Sequence, residues 1–289
     1  FRNSRPADFS FGFTGEKDPG EQWRWNPANH QYAFDYVSFH AQLSNKKRIK
    51  NLILGDFQCQ FAQGLILGGA FGLGKGSETI TTARRNNIGF LPYTSINESG
   101  YYRGIAATVE ITKCIFASAF YSSAKRDAAS DSPDERTTSI SSLLLTGFHR
   151  NEKELNDRKR ITEQSCGGVI HLRKNSLDAG IIFQTMGFDH KLAKNVSSYN
   201  QFAFQGNCNV NAGVFLNYSV NNFNFFSEAV QSVGAGTGIV TGLISSLHSR
   251  AAIMPIEMKA AQKPWDWLWP ETFHWLAFTT FSAFFFRDI

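Results

Sequence analysis

Residues 51–72 read NLILGDFQCQFAQGLILGGAFG, residues 75–100 read KGSETITTARRNNIGFLPYTSINESG, and residues 101–111 read YYRGIAATVEI. The outer two runs carry the period-two pattern of β-strands. In the first, Ile53, Phe57, Cys59 and Phe61 oppose Asp56, Gln58 and Gln60. No amphipathic helix lies nearby to cover the apolar side. The middle run is too long for a hairpin turn and too rich in particular polar residues for a linker. Together the three runs predict a strand, a long loop folded inward, and the next strand of a membrane β-barrel, with the polar face towards the lumen.

Composition agrees with an all-β chain of this kind. Of 289 residues, 14% are aromatic, with 27 Phe against 3 Met, and only 18% are charged. Soluble domains carry roughly 25% charged residues. Barrels with a polar lumen and an apolar exterior have such a composition, and so do some soluble sandwiches. The net charge of +5 is scattered, and the short basic runs at 46–48 and 158–160 read as solvated turns rather than a nucleic-acid footprint. The four cysteines, Cys59, Cys114, Cys166 and Cys208, lack C-x-x-C spacing, so no metal site is expected. No run of about 18 apolar residues occurs, which leaves strands as the means of crossing a bilayer. The chain opens on Phe1, so it reads as a mature form or a fragment.

Outward from the opening stretch, strands are expected at 8–16, 32–44 and 49–61, then 101–111 and 114–123 joined at Thr112 and Lys113. Further strands are expected at 137–148, 166–173, 177–186, 199–207, 211–220, 223–230 and 236–248, about twelve in all, each near the ten residues a tilted membrane strand needs. Asn151, followed three residues later by Glu154, resembles a capping box and predicts a short surface helix within 151–164. Over the first six strands the connections alternate long and short, as in outer-membrane barrels. The segment at 151–164 breaks that alternation and puts the tight turn at 174–176 on the wrong rim. A barrel region over 1–250 is therefore expected. After Arg250 the pattern dissolves, and 251–289, with Trp265, Trp267, Trp269 and a Phe-rich end, reads as a divergent tail, an interfacial belt or a closing strand.

Catalytic motifs are absent from the sequence. There is no G-x-S-x-G, H-E-x-x-H or P-loop, and GLGKG at 72–76 is not followed by a helix-forming segment that could hold phosphate. No enzyme activity and no cofactor are expected. The chemistry worth naming is a polar set around the long loop: Asp56, Gln58, Gln60, Gln63, Arg84, Arg85, Asn97, Glu98 and Arg103. If strand and loop share one lumen, these groups pair across it, because an unpaired buried charge is too costly to keep. Such a set reads either as the hydrogen bonding of a plug or as a ligand site.

The run LILGDFQCQFAQGLILGGAFGLGK, followed by ARRNNIGFLPYTSINESGYYRG, resembles bacterial envelope proteins that carry helix-hairpin-helix modules, akin to competence DNA-uptake proteins, ahead of a large β-rich region. The stretches at 143–168, 199–218 and 225–250 follow the same pattern in order, so the resemblance covers about residues 5–250. It implies a Gram-negative outer-membrane barrel acting as pore, anchor or assembly component. Its partners would be the lipid bilayer and other envelope proteins. Any DNA contact would lie in the upstream modules, which this chain does not contain. The alternatives are a DNA- or polymer-uptake channel and a soluble, secreted β-rich enzyme or sugar-binding domain.

Overall fold

A computed structural model of the chain describes residues 1–17, 25–26, 31–32, 34, 36–69, 84–129, 139–193, 204–233, 236–248, 251–261 and 280–285. The chain is all-β with one short helix. Its elements in order are β1 (Arg2–Arg5), β2 (Phe9–Glu16), β3 (Trp25–Asn26), β4 (Gln31–Tyr32), β5 (Tyr36–Lys46), β6 (Ile49–Gln60) and β7 (Gly89–Pro92). There follow β8 (Tyr102–Thr112), β9 (Ile115–Arg126), β10 (Ala128–Ala129), β11 (Ser139–Ile140), β12 (Ser142–Leu143) and α1 (Glu152–Asp157). The chain continues with β13 (Ile161–Lys174), β14 (Leu177–Leu192), β15 (Gly206–Val220), β16 (Phe223–Ser232), β17 (Thr237–His248), β18 (Ala251–Ala261) and β19 (Thr280–Phe285).

One 15-stranded sheet holds nearly all of these, with the order β1-β2-β5-β6-β8-β9-β13-β14-β15-β16-β17-β18-β19. Neighbours along that path are antiparallel, and β1 and β19 are its two ends. The sheet thus runs on past residue 250, since β18 pairs with β17 and β19 with β18. Two-residue turns close one rim. Asn175 (φ 52°) and Asn221 (φ 49°) take the left-handed conformation that such hairpin turns demand and that Asn tolerates.

Several sequence expectations need correction. Among the described residues, 139–148 is not a spanning strand. It holds β11, which runs parallel to the end of β14, and β12, which pairs with β10. Ile140 is buried there with Ile161, Phe188 and Leu192, so a local core replaces the alternation a wall strand would need. Without that strand the alternation continues as far as β16: long from β9 to β13, short at 175–176, long from β14 to β15, short at 221–222, before a four-residue connection leads from β16 to β17. The turn at 174–176 therefore lies on the short rim. The expected break between 199–207 and 211–220 is also absent, because Cys208, Asn209 and Val210 keep their pairing to β14 within a continuous β15. Residues 199–203 fall outside the described set. The β8–β9 turn sits at 113–114, one residue later than read. The helix spans Glu152–Asp157, with the Asn151 side chain accepting from the Glu154 amide at 2.9 Å as expected, while 161–164 already belongs to β13.

The sheet sorts its side chains in the sense opposite to a soluble protein. Phe11, Phe13, Phe39, Leu43, Leu54, Ile105, Ile170, Phe183, Val214 and Phe225 are exposed, with Val214 at 55% and Ile181 at 56%. On the opposite phase Ser10, Ser38, His40, Ser118, Ser165, His171, Gln184, Asn217 and Glu228 are buried. The polar phase does not stand alone, however. Ile53, Ala106, Phe120, Val169, Ile182 and Phe215 share that side and pack with Phe57, Cys59, Phe61, Leu67 and Phe90 into one apolar cluster. This corrects the reading of β6, in which the apolar face was expected to point away from the interior. On that side of the sheet, apolar residues of strand and loop bury one another.

Candidate functional site

The inward fold starts where β6 leaves β5. Their ladder ends at the His40–Gly55 pair. Gly55 has φ 97°, and a Cβ there would collide with the Phe39 carbonyl oxygen, so the position requires glycine. From this point side chains take over from the ladder. The Asp56 carboxylate accepts the Phe39 amide hydrogen at 3.2 Å, and the Arg103 guanidinium donates to the Val37 carbonyl at 2.6 Å. Arg103 also grips Asp56 in a two-pronged ion pair, Nε–Oδ1 at 2.6 Å and Nη2–Oδ2 at 2.8 Å. Such forked, charge-assisted pairs are among the stronger polar contacts available to a protein. The freed edge of β6, from Phe57 to Gln60, pairs instead with β7. The Tyr93 amide closes the corner on the Asp56 carbonyl at 2.9 Å.

Beyond β6 the chain crosses to the far wall. Glu228 on β16 is fully buried, and its Oε2 accepts the Gln63 amide at 2.8 Å and the Leu65 amide at 3.2 Å. Successive backbone amides of a turn converging on a carboxylate form an anion nest. The Gln63 side chain adds a 3.4 Å bond to Asn217 on β15. The chain returning across the interior is tied to the same hub: the Arg85 amide donates to Gln63 Oε1 at 3.0 Å, and Asn87 Nδ2 donates to Asp178 on β14 at 3.2 Å. The Ile88 amide then reaches the Gln60 carbonyl at 3.0 Å, and Asn51 Nδ2 the Phe90 carbonyl at 2.7 Å. The described ends of the loop, 61–69 and 84–92, are thereby fixed to β14, β15 and β16 on one side and to β6 on the other.

The residues singled out from sequence divide into three groups. Asp56 and Arg103 meet as the corner pair. Gln63 is the hub of the crossing, and Gln60 is buried beside Gly64, with no hydrogen bond to a described residue from its side-chain amide. Arg84 and Arg85 form no ion pair with a described residue, and Arg85 joins the hub only through its main chain. Gln58 donates to the Gly100 carbonyl at 3.3 Å, and Asn97 orders its own loop by accepting from Ser99. Glu98 lies apart from all of these, with its carboxylate near Asp127 and His149.

Sequence reasoning missed Glu228, Asn217 and Asp178. Glu228 carried a faint signal, being the lone charge in the FNFFSEAVQS of β16. Glu98, Asp127 and His149 offer three donor atoms within 4.8 Å of one another. His149 Nε2 bonds Asp127 Oδ2 at 2.7 Å, and the Lys159 amide occupies Asp127 Oδ1 at 2.7 Å. Burial works against the charge on His149, but the bond to Asp127 outweighs it and raises the imidazole pKa. The cluster is arranged as an ion pair that ties the β9–β13 connection together.

No protein-family model matches the chain, and no curated protein sequence matches it. Among solved structures it is similar to OccK7 (OpdD) of Pseudomonas aeruginosa, at 10% identity over 90% of this chain and 71% of that one, with a TM-score of 0.32. It is also similar to a loop L8 deletion mutant of OmpT, an outer membrane protein of Vibrio cholerae, at 10% identity over 89% of this chain and 94% of that one, with a TM-score of 0.34.

Proposed function

We propose that the chain is a non-enzymatic outer-membrane β-barrel, the barrel part of a helix-hairpin-helix envelope protein, whose lumen is closed by its own loop between β6 and β8. The observation that carries this reading is the inverted sorting of side chains. Phe39, Phe183 and Val214 stand exposed on the outer phase while Glu228, Asn217 and His171 are buried on the inner one. Water would penalise that arrangement, and a hydrocarbon surround favours it. The alternation of long and short connections supports the same reading. As a pore the protein is shut at rest, because the crossing segment and the apolar cluster occupy the interior. The bilayer is its first partner, and DNA contact falls to the upstream modules that the resemblance implies.

The test is fractionation of cells expressing the chain. The protein should sediment with outer membranes, resist extraction without detergent and migrate differently on gels before and after heating. Recovery in the soluble fraction with no heat-dependent mobility would refute the assignment.

A further inference from the structure

Three of the long connections meet at one cavity of about 780 Å³. The β2–β5 connection contributes Trp25 and Phe34, the β7–β8 connection Glu98 and Tyr101, and the β9–β13 connection Leu145 and Lys159. Strand residues of both phases complete the lining: Tyr102, Arg126 and Glu163 from the buried phase, Phe13, Arg103 and Lys125 from the other. The cavity therefore belongs to the long-connection rim and to neither face of the sheet. Its volume falls in the range of about 300–1,000 Å³ that small-molecule sites occupy.

Aromatic rings make up much of the lining. Trp25 is 69% exposed, and Phe13 and Phe34 are exposed as well. Tyr101, by contrast, is fixed: its ring packs 5.0 Å from Tyr93 and 5.9 Å from Tyr36, and the Arg126 guanidinium lies 4.8 Å from its centre. A wall held in this way is in place before a ligand arrives, which spares the cost of ordering it on binding.

The charged groups of the lining offset one another. Arg103 pairs with Asp56, Arg126 with Glu163 at 3.0 Å, and Asp127 with His149 at 2.7 Å. Glu98 shares the remaining lining with Lys125 and Lys159. Neither sign prevails, so an ion meets no strong net field there. The groups still offer hydrogen bonds, and Arg126 Nη1 donates to no described residue. An apolar ligand would strip water from them and return no hydrogen bond.

We infer that this cavity binds a short, uncharged saccharide. A sugar ring has apolar C–H faces and an edge of hydroxyls, so one molecule answers both kinds of group. The negative faces of Trp25 and Phe34 attract the C–H groups, while Glu98 accepts from hydroxyls and Lys125 and Arg126 donate to them. The site goes beyond the barrel assignment and does not depend on it, since its lining is the same whether the sheet meets lipid or water.

The purified full chain, in a detergent without a sugar headgroup, is examined by saturation-transfer NMR with maltose, cellobiose, lactose and N,N′-diacetylchitobiose. At least one of these should receive saturation from the wild type, and glucuronate and glucosamine should bind more weakly than glucose. Trp25→Ala should weaken the bound disaccharide by roughly tenfold, the upper end of what one aromatic contact contributes. Lys125→Ala, at an exposed strand position, should weaken it several-fold through a lost hydrogen bond and serves if the Trp25 variant does not fold. Unchanged circular dichroism shows that a variant is folded. Absence of transfer to all of these disaccharides overturns the inference, and so does equal affinity in the wild type and a folded variant. Tighter binding of glucuronate or glucosamine than of glucose overturns it in favour of an ion site. Sugar binding by a chain that fractionates as soluble upholds the saccharide site and removes the membrane reading alone.

Discussion

The main-chain amide of Gln63 donates to the buried carboxylate of Glu228 at 2.8 Å, across 165 positions of sequence. That bond and its companion from Leu65 hold the crossing segment against the β15–β16 wall. Hydrogen bonds to a charged group contribute roughly 1.5–3 kcal/mol each, enough to shift a closed population by tenfold or more. Glu228→Ala should therefore raise single-channel conductance or opening frequency in planar bilayers, with Glu228→Gln intermediate. Wild-type conductance in both would mean that the apolar cluster alone retains the segment.

Arg84→Ala and Arg85→Ala should behave differently. Arg85 reaches Gln63 through its amide and carbonyl, which alanine keeps, and neither side chain makes an ion pair with a described residue. Conductance near the wild-type value is expected for both in the same recording. A large opening by either would place a charge contact of the plug on that side chain.

The corner pair joins β6 to β8 rather than holding the crossing segment. Asp56 is fully buried, and Arg103 is about one-third exposed. Removing one partner of a buried pair costs about 3–5 kcal/mol, and partial solvation of Arg103 places this case at or below the lower end. Arg103→Ala should lower the temperature at which the unheated gel form is lost, and Asp56→Asn should do so less, since it keeps an acceptor for the Phe39 amide. An unshifted transition in Arg103→Ala would show that the main-chain pairing of β6 with β7 and β8 suffices.

Outer-face substitutions separate lipid from water as the surround. Arginine at a lipid-facing position near the bilayer midplane costs about 2–4 kcal/mol. Phe183→Arg and Val214→Arg should therefore cut the yield of assembled, heat-modifiable protein. In a soluble sheet these exposed positions would accept arginine with little loss, so an unchanged yield counts against the membrane.

The His149–Asp127 pair predicts a pH window for the β9–β13 connection. The raised pKa of His149 means that its contribution is present below its ordinary 6.5 and fades as pH climbs through the folded value. Burial works against the charge on Asp127, yet bonds from His149 and the Lys159 amide leave its pKa lowered, so its contribution is present above 3.8 and fades as pH falls through the folded value. Protease protection of the connection should be greatest between pH 3.8 and 6.5 and weaken above it. His149→Ala should flatten the alkaline limb. A wild-type profile without that limb would mean that other contacts hold the connection.

The parts legible in the sequence were those decided by near neighbours. Alternation in FSFGFTGE and YVSFHAQLSNK made both strands plain, and Asn151 with Glu154 announced the helix start. The segment 139–148 misled because Ile140 and Leu143 serve a small core formed with Ile161, Phe188 and Leu192, partners that lie beyond any local window. Asp56 and Arg103 were both named in the polar set expected to pair across a lumen, but that they pair with each other, between the neighbouring strands β6 and β8, was not legible. Glu228 was not, because its worth comes from amides of a turn more than 160 positions away.

The sequence by itself determined that the strands have two unlike faces and that a long polar segment separates two of them, because period-two alternation is a property of consecutive residues. Only the tertiary structure decided which face of β6 turns inward and what the crossing segment binds. Ile53 and Phe57 are buried against Phe90 and Phe120, and Gly55 lets β6 part from β5. Alternation marks two sides without assigning them, and the side covered by the crossing segment buries apolar and polar groups alike. The sides are assigned by what packs against them, and that is set by contacts between residues far apart in the chain.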